Sequence, residues 1–382
     1  MTDKHKRTQL VQADIGADKS YNAVSPPLYL TSTYNFKGFD DMGPYDYGRG
    51  GNPNRDALGA ALAELEGGAQ GVVTASGLAA IDLVFNLFNA DDLVIAPHDC
   101  YGGTHRLLTY RAKQGRMKVE FIDQNDPQAL ASALAKSPKI ILIETPSNPL
   151  MRLVDIQAIC ESAHKVGCLV MADNTFLSPA RCNPIALGAD FVVHSTTKYI
   201  NGHSDVVGGV LIAKTAQHGE DLAWWANCIG VTGAPFDSFM TLRGLRTLFA
   251  RMDAQEANAI KIANWLNNHK AVSHVYYPGL SCHPDHDLAT RQQRGPGAMI
   301  SFELAGGRIA AKKLLEGVRV FQLAESLGGV ESLISHPETM THRGMEASAR
   351  HQAGIKDELV RISVGLEHVN DLISDLDRNL FL

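Results

Sequence analysis

Two apolar runs that each break off into polar residues decide how this chain is read. Cys168-Leu169-Val170-Met171-Ala172 stops at Asp173-Asn174-Thr175, and Phe191-Val192-Val193 stops at His194-Ser195-Thr196-Thr197-Lys198. Runs this short, apolar on both sides, suit strands buried between layers of helices. Five more surround them: Gly71 to Thr74, Leu93 to Ala96, Val119 to Ile122, Ile140 to Ile143 and Val210 to Ala213. Longer amphipathic stretches alternate with them, as where Leu78, Ile81, Phe85 and Phe88 follow Gly77 at a spacing that lines one helix face. The alternation predicts an α/β domain with a mostly parallel sheet, with ligands held at the carboxyl ends of its strands.

Outward from this centre the pattern changes twice. Residues 1–50 mix Ser, Tyr, Pro and Gly without helical period, and Pro26-Pro27 forbids a helix there, so an extended arm is expected. Around Arg243 to Leu248 the strand–helix alternation stops. A helical stretch then carries Leu248, Met252, Ile260 and Leu266, followed by strand-like pieces at Ala298 to Leu304, Val318 to Leu323 and Leu359 to Val364. The chain therefore divides into an arm (1–50), a large ligand-binding domain (51–243) and a smaller α+β domain (244–382).

Composition narrows the function. Thirty-five Lys+Arg against 41 Asp+Glu leave a formal charge of −6, too mild and of the wrong sign for an electrostatic nucleic-acid binder. No apolar segment follows the basic N-terminal residues and nowhere do about eighteen apolar residues run together, so a soluble, cytoplasmic protein without a membrane partner is expected. Six cysteines without a C-x-x-C pair read as reduced structural thiols. No phosphate cradle of the P-loop or dinucleotide-binding kind occurs. Gly202-His203-Ser204-Asp205-Val206 lacks the second glycine of a nucleophile elbow, and His283-Pro284-Asp285-His286-Asp287 reads as a solvated loop rather than a metal clip.

What remains is a carboxylate, Asp173, and a lysine, Lys198, leaving a parallel sheet at the same edge. Alone, the two read as a buried salt bridge. A third element changes that reading. After Gly71 to Thr74 comes Ala75-Ser76-Gly77, opening a helix whose first N–H groups lack partners and point at that edge, and Ser195 and Thr197 add hydroxyls beside the lysine. An anion site, an amine able to form a Schiff base and an acid able to hold a ring nitrogen protonated are what pyridoxal phosphate requires.

These residues resemble a known family. Ser195-Thr196-Thr197-Lys198-Tyr199 with Asn201-Gly202-His203-Ser204-Asp205, Asp173-Asn174-Thr175, Glu144-Thr145-Pro146-Ser147-Asn148-Pro149 and Tyr47-Gly48-Arg49 look like the Cys/Met-metabolism family of pyridoxal phosphate enzymes. The resemblance runs from about Tyr21 to about Asp377. It implies the type I fold of these transferases, with Lys198 holding the cofactor covalently and later moving protons, and Asp173 pairing with the ring nitrogen. Tyr101, beside Gly102-Gly103, would stack on the ring. The N–H groups of Gly77 and Leu78 with the Ser195 and Thr197 hydroxyls would hold the phosphate, completed by Tyr47 and Arg49 from a neighbouring subunit's arm. The last point implies an obligate dimer, and a homotetramer built as a dimer of catalytic dimers.

The resemblance extends to substrate. Val360, Ile362 and Val364 alternate with Arg361 and Ser363, which as a strand turns Arg361 away from the apolar face. Its fork suits an α-carboxylate, with Asn148 and Ser326 as helpers. Glu325 stands where a carboxylate accompanies γ-chemistry in the family, and Arg106 would meet a distal acyl carboxylate. Ala223-Trp224-Trp225-Ala226-Asn227, Ile229-Gly230-Val231-Thr232-Gly233 and Ala324 to His336 look most like members that make cystathionine. The implied activity is γ-replacement, with L-cysteine displacing the acyl group of O-succinyl-L-homoserine; elimination from cystathionine and sulfide-dependent replacement are the alternatives. Two departures stand out: Gly48 where the family usually has Ser, and Gly50 where close relatives often carry a second arginine. The second leaves succinyl against acetyl ester open.

Overall fold

The computed structural model describes residues 4–380. All seven expected runs form strands: β1 (Gln70–Thr74), β2 (Leu93–Pro97), β3 (Lys118–Ile122), β4 (Ile140–Glu144), β5 (Leu169–Asp173), β6 (Phe191–Ser195) and β7 (Gly209–Ala213). They make one sheet in the order β1-β7-β6-β5-β4-β2-β3, parallel except at β7, which runs against both β1 and β6. Because β1, β4, β5 and β6 share one direction, Thr74, Glu144, Asp173 and Ser195 all finish at the same edge, and the polar groups that follow them converge.

A second sheet is built from β8 (Val272–Tyr276), β9 (Met299–Leu304), β10 (Gln322–Leu323), β11 (Leu333–Ser335) and β12 (Leu359–Ser363), in the order β10-β11-β12-β9-β8. The long helix Leu248–Asn267 contributes Met252, Ala259, Ile262 and Leu266 to a core that runs without a break from Leu58 and Leu62 to Phe302 and Ile362.

The helix Pro53–Glu66 starts where Asn52 accepts from the N–H groups of Asn54 (3.0 Å) and Arg55 (3.4 Å), with proline in the first turn. Asn54 ties the arm to this helix: its amide donates to the Pro27 carbonyl at 2.8 Å and accepts from the Tyr29 N–H at 2.8 Å. The helix also lies directly on β1. A Cβ at Gly59 would sit 2.4 Å from the Gly71 carbonyl oxygen.

Several expectations are corrected. The arm is not wholly extended, since Lys6–Val11 is a short helix whose Leu10 is buried. The piece at Val318 to Leu323 pairs only over Gln322–Leu323, and β8 and β11 were not anticipated: β8 is half polar and β11 spans three residues, too short for periodicity to register. Ile260 faces solvent at 41% exposure, because Ala259, Ile262 and Ala263 form the buried stripe. Both faces of β12 are buried, so Arg361 leaves the apolar face for an interior cavity, not for water. The segment at His283 is not a solvated loop: His283 is buried, and the Asp285 carboxylate accepts from the Leu153 N–H at 2.9 Å.

Gly59→Ala should lower the urea midpoint by an amount equivalent to about 1–3 kcal/mol, because the added carbon must push the helix off β1. An unchanged midpoint would mean the helix can shift freely.

Candidate active site

Lys198 sits in the turn that follows β6, and a buried arginine holds that turn. The Arg251 guanidinium, 4% exposed, donates to the carbonyls of Tyr199 (2.7 Å), Ile200 (3.3 Å) and Gly244 (2.9 Å). Gly202 closes the turn at φ +72°, where a Cβ would fall 2.1 Å from Arg251 Nη1, so only glycine fits beneath the guanidinium. From this fixed turn the Lys198 amine reaches across to the connection between β10 and β11 and donates to Ser326 Oγ at 2.7 Å. Burial, reinforced by Arg361 and opposed by Glu325, pushes the Lys198 amine down to about 8.

The amine lies in a cavity of about 680 Å³ whose lining includes Gly77, Leu78, Tyr101, Asn148, Asp173, Ser195, Thr197, Glu325, Ser326 and Arg361. The fold thus gathers most of the residues singled out from sequence. Asp173 opens on the cavity and is met by the Thr175 N–H at 3.0 Å. Abreast of it, in register on β4, stands Glu144, which accepts from the N–H groups of Tyr101 (2.8 Å) and Asn148 (3.1 Å). Burial raises both carboxyl groups above their ordinary range; the Asp173 charge raises Glu144 further, while the Thr175 hydrogen bonds hold Asp173 back. Glu144 opens the motif that runs to Pro149 and is the site carboxylate whose role its sequence position leaves open; its signal is a strand ending in a carboxylate beside one that ends in Asp173.

Arg361 is 3% exposed and forks onto Asn148 Oδ1 (2.8 Å) and the Ser326 carbonyl (3.0 Å), while its Nε finds no protein partner. Burial lowers it to about 10, so it stays cationic. Ser326 presents its carbonyl to the arginine and its hydroxyl to the lysine by taking φ +92°, a left-handed conformation that costs a non-glycine residue about 1–3 kcal/mol.

The anion end is built at the helix Gly77–Val84. Ser76 caps it by accepting from Ala79 N–H at 3.1 Å, which leaves the N–H groups of Gly77 and Leu78 without partners inside the helix, at the cavity wall. A Cβ at Gly77 would lie 2.8 Å from Ser195 Cβ, so the helix start abuts the Ser195 side chain. Thr197 Oγ1 is shared with Gly208, accepting its N–H at 3.0 Å. Three expected residues are not in this cavity. Arg106 is exposed, with its guanidinium against Gly344, and Tyr47 and Arg49 lie exposed on the arm, the Arg49 guanidinium 5.8 Å from the Tyr47 ring centre. Asp205, Glu331 and Thr341 line the cavity without having been singled out as ligands.

Buried carboxyl groups whose charged form is penalised by lost water gain from a protonated ring nitrogen beside them, a partnerless helix start accepts a phosphate, and an amine lowered to about 8 accepts an aldehyde. The residues present therefore fit pyridoxal phosphate, and a lysine-based pyridoxal phosphate enzyme of α/β fold is the class that fold and site define. A sequence profile described as "Cys/Met metabolism PLP-dependent enzyme" matches residues 7–381, and the chain belongs to that family.

Among its relatives is the cystathionine gamma-synthase of Escherichia coli K12, 54% identical over 378 residues, covering 99% of this chain and 98% of that protein. A crystal structure of cystathionine gamma synthase from Xanthomonas oryzae pv. oryzae in complex with cystathionine matches with a TM-score of 0.98 at 54% identity, covering 99% of this chain and 98% of that one. A cystathionine beta-lyase of Lactococcus lactis is 45% identical, with 98% of each chain covered.

The lowered amine is directly measurable. In cofactor-free protein, reductive methylation read by peptide mapping should reach half its limiting rate at Lys198 near pH 8, because only the neutral amine reacts. Exposed lysines should continue to gain toward about pH 10.4. Glu325→Gln removes the one raising influence and should move the Lys198 midpoint lower. A Lys198 midpoint equal to that of surface lysines would contradict the site's electrostatics.

Proposed function

We propose that this enzyme catalyses γ-replacement, in which L-cysteine displaces the succinyl group of O-succinyl-L-homoserine to give L-cystathionine and succinate. One observation carries the reading. Ser326 takes the Lys198 amine on its hydroxyl and the Arg361 guanidinium on its carbonyl, so an α-amino acid whose carboxylate rests on Arg361 presents its Cα to Lys198. The 54% identity to a protein named cystathionine gamma-synthase supports it further.

The parts follow from their surroundings. Lys198 would carry the cofactor and move protons at Cα and Cβ; its lowered basicity leaves far more neutral amine near neutral pH than an exposed lysine has. Pyridoxal phosphate, when bound, supplies the electron sink that makes successive deprotonations at these carbons tolerable. Asp173, with Glu144 abreast of it, would pair with the ring nitrogen of the bound cofactor, and Tyr101 would stack on its ring. Gly77 and Leu78 N–H groups with the Ser195 and Thr197 hydroxyls would hold its phosphate. Arg361, with Asn148 and Ser326, grips the α-carboxylate by its fork. Glu325, beside Lys198 and Tyr101 in the same electrostatic neighbourhood, meets the far part of the substrate or the incoming amine. Arg106 takes the distal succinyl carboxylate from the cavity mouth, where its charge already reaches the Tyr101 phenol.

The arm completes the site in a second copy. Tyr21 (89% exposed), Val24 (71%), Leu30 (70%) and Phe39 (101%) leave it apolar and uncovered in one chain. Apolar surface gathered in one segment is the ordinary mark of an interface. In this reading Tyr47 and Arg49 reach the neighbour's phosphate, and two such dimers form a tetramer. The units are the arm (1–50), the cofactor-binding domain (51–243) and the smaller domain (244–382). Six free thiols suit a reducing, cytoplasmic setting.

Supplied with O-succinyl-L-homoserine and L-cysteine, the enzyme should release succinate and cystathionine in equal amounts. Supplied with cystathionine, it should release little 2-oxobutyrate or pyruvate; dominance of either would instead make it a γ- or β-lyase. Lys198→Ala should abolish turnover. Arg106→Ala should raise the KM for the succinyl ester about threefold, the size of an exposed ion pair, and leave that for the acetyl ester unchanged. Deleting residues 1–50 should reduce the sedimenting mass to that of smaller assemblies and weaken cofactor retention; an unaltered mass would remove the arm from the interface.

A further inference from the structure

His342 lies on the connection between β11 and β12, and the residue before it, Thr341, lines the cavity. The imidazole itself is fully buried, at 0% exposure. Its Nε2 is 3.0 Å from the Asn148 carbonyl oxygen, and its Nδ1 is 2.9 Å from Thr341 Oγ1. A carbonyl can only accept, so Nε2 carries the proton. Burial, with the neighbouring Arg361 charge second, pushes the ring down to about 4, so Nδ1 is bare near neutral pH and accepts the Thr341 hydroxyl proton. The ring is thus oriented at both ends.

The consequence falls on Asn148. Its N–H donates to Glu144 Oε1 at 3.1 Å, its carbonyl accepts from His342, and its side-chain oxygen accepts from Arg361 Nη1 at 2.8 Å. With the backbone pinned on both sides of Cα, the Cα–Cβ bond has a fixed direction, and from it the side-chain oxygen meets the guanidinium. The Arg361 fork is therefore held at Nη1 by a side chain whose backbone is fixed, and at Nη2 by the Ser326 carbonyl; the carbonyl half of the Asn148 backbone is held by His342. We propose that His342 is a positioning residue of the carboxylate clamp: by fixing the Asn148 carbonyl it aims Asn148 at Arg361, and through Thr341 it joins that aim to the cavity wall. The proposal rests on the reading of Arg361 as the group that grips the substrate α-carboxylate.

The test uses the cofactor-loaded enzyme and two ligands that differ only in that carboxylate, L-homoserine and 3-aminopropan-1-ol, with binding read from the change in the cofactor's visible absorbance. His342→Ala should weaken L-homoserine about threefold to tenfold, the effect of one well-placed hydrogen bond, and leave 3-aminopropan-1-ol and the cofactor content unchanged. His342→Gln, which keeps an N–H donor, should recover most of the loss. Equal weakening of both ligands, or of neither, overturns the proposal, because packing alone would not distinguish them. Arg361→Lys, measured alongside, separates the two levels of argument. If it too fails to distinguish the ligands, the carboxylate reading of Arg361 falls; if it distinguishes them and His342→Ala does not, only the role of His342 falls. Should His342→Ala not load cofactor, Thr341→Val, which frees Nδ1, must weaken L-homoserine alone by about twofold, and an equal effect on both ligands refutes the assignment.

Discussion

The Arg251 guanidinium, inside the protein and bound to three backbone carbonyls, is the contact on which the site depends. Two of those carbonyls belong to the residues that follow Lys198, and the third ends the preceding helical region at Gly244. Burial lowers this arginine only to about 10, so the cation persists and each carbonyl keeps a charged donor. Without it, each stranded carbonyl would cost about 1–3 kcal/mol, and the turn that aims Lys198 would have no reason to keep its shape. The same long helix that carries Arg251 belongs to the core shared by both sheets, beside which Lys198 in the turn after β6 meets Ser326 in the connection between β10 and β11.

Around that meeting point burial acts on four charged groups in the same sense. It raises Glu144 and Asp173 and lowers Lys198 and Arg361, moving each toward its neutral form. A cavity in that condition favours a guest that brings complementary charges: a protonated ring nitrogen for the carboxylates, a carboxylate for the arginine, a phosphate for the helix start. Pyridoxal phosphate with an amino acid supplies all three. The strained Ser326 backbone belongs to this arrangement, because only its left-handed turn lets one residue serve the lysine and the arginine together.

The first sheet was legible because each strand is short, apolar and set between helices of different period. Chain order alone then carried Asp173 and Lys198 to one edge. The second sheet was less so: half-polar β8 and three-residue β11 carry no period of two, and Ile260 belongs to a helix whose buried stripe is drawn by alanines rather than by its larger side chains. Arg361 was identified by its alternation on β12, yet its burial against Asn148 depends on contacts 213 positions apart. His342 and Arg251 carry no sequence signal as site residues for the same reason, since each acts through partners distant in the chain.

What the amino-acid order determined by itself was local: strand and helix periods, the helix start at Ser76-Gly77, and the polar endings of two buried strands, all consequences of side chains repeating along one backbone. Only the tertiary structure decided which distant groups share a hydrogen bond, which charges lose their water, and which exposed side chains stay outside the cavity, as Arg106, Tyr47 and Arg49 do. The reason is physical. Desolvation and hydrogen-bond direction depend on what packs against a group in space, and that is not a property of its neighbours in sequence.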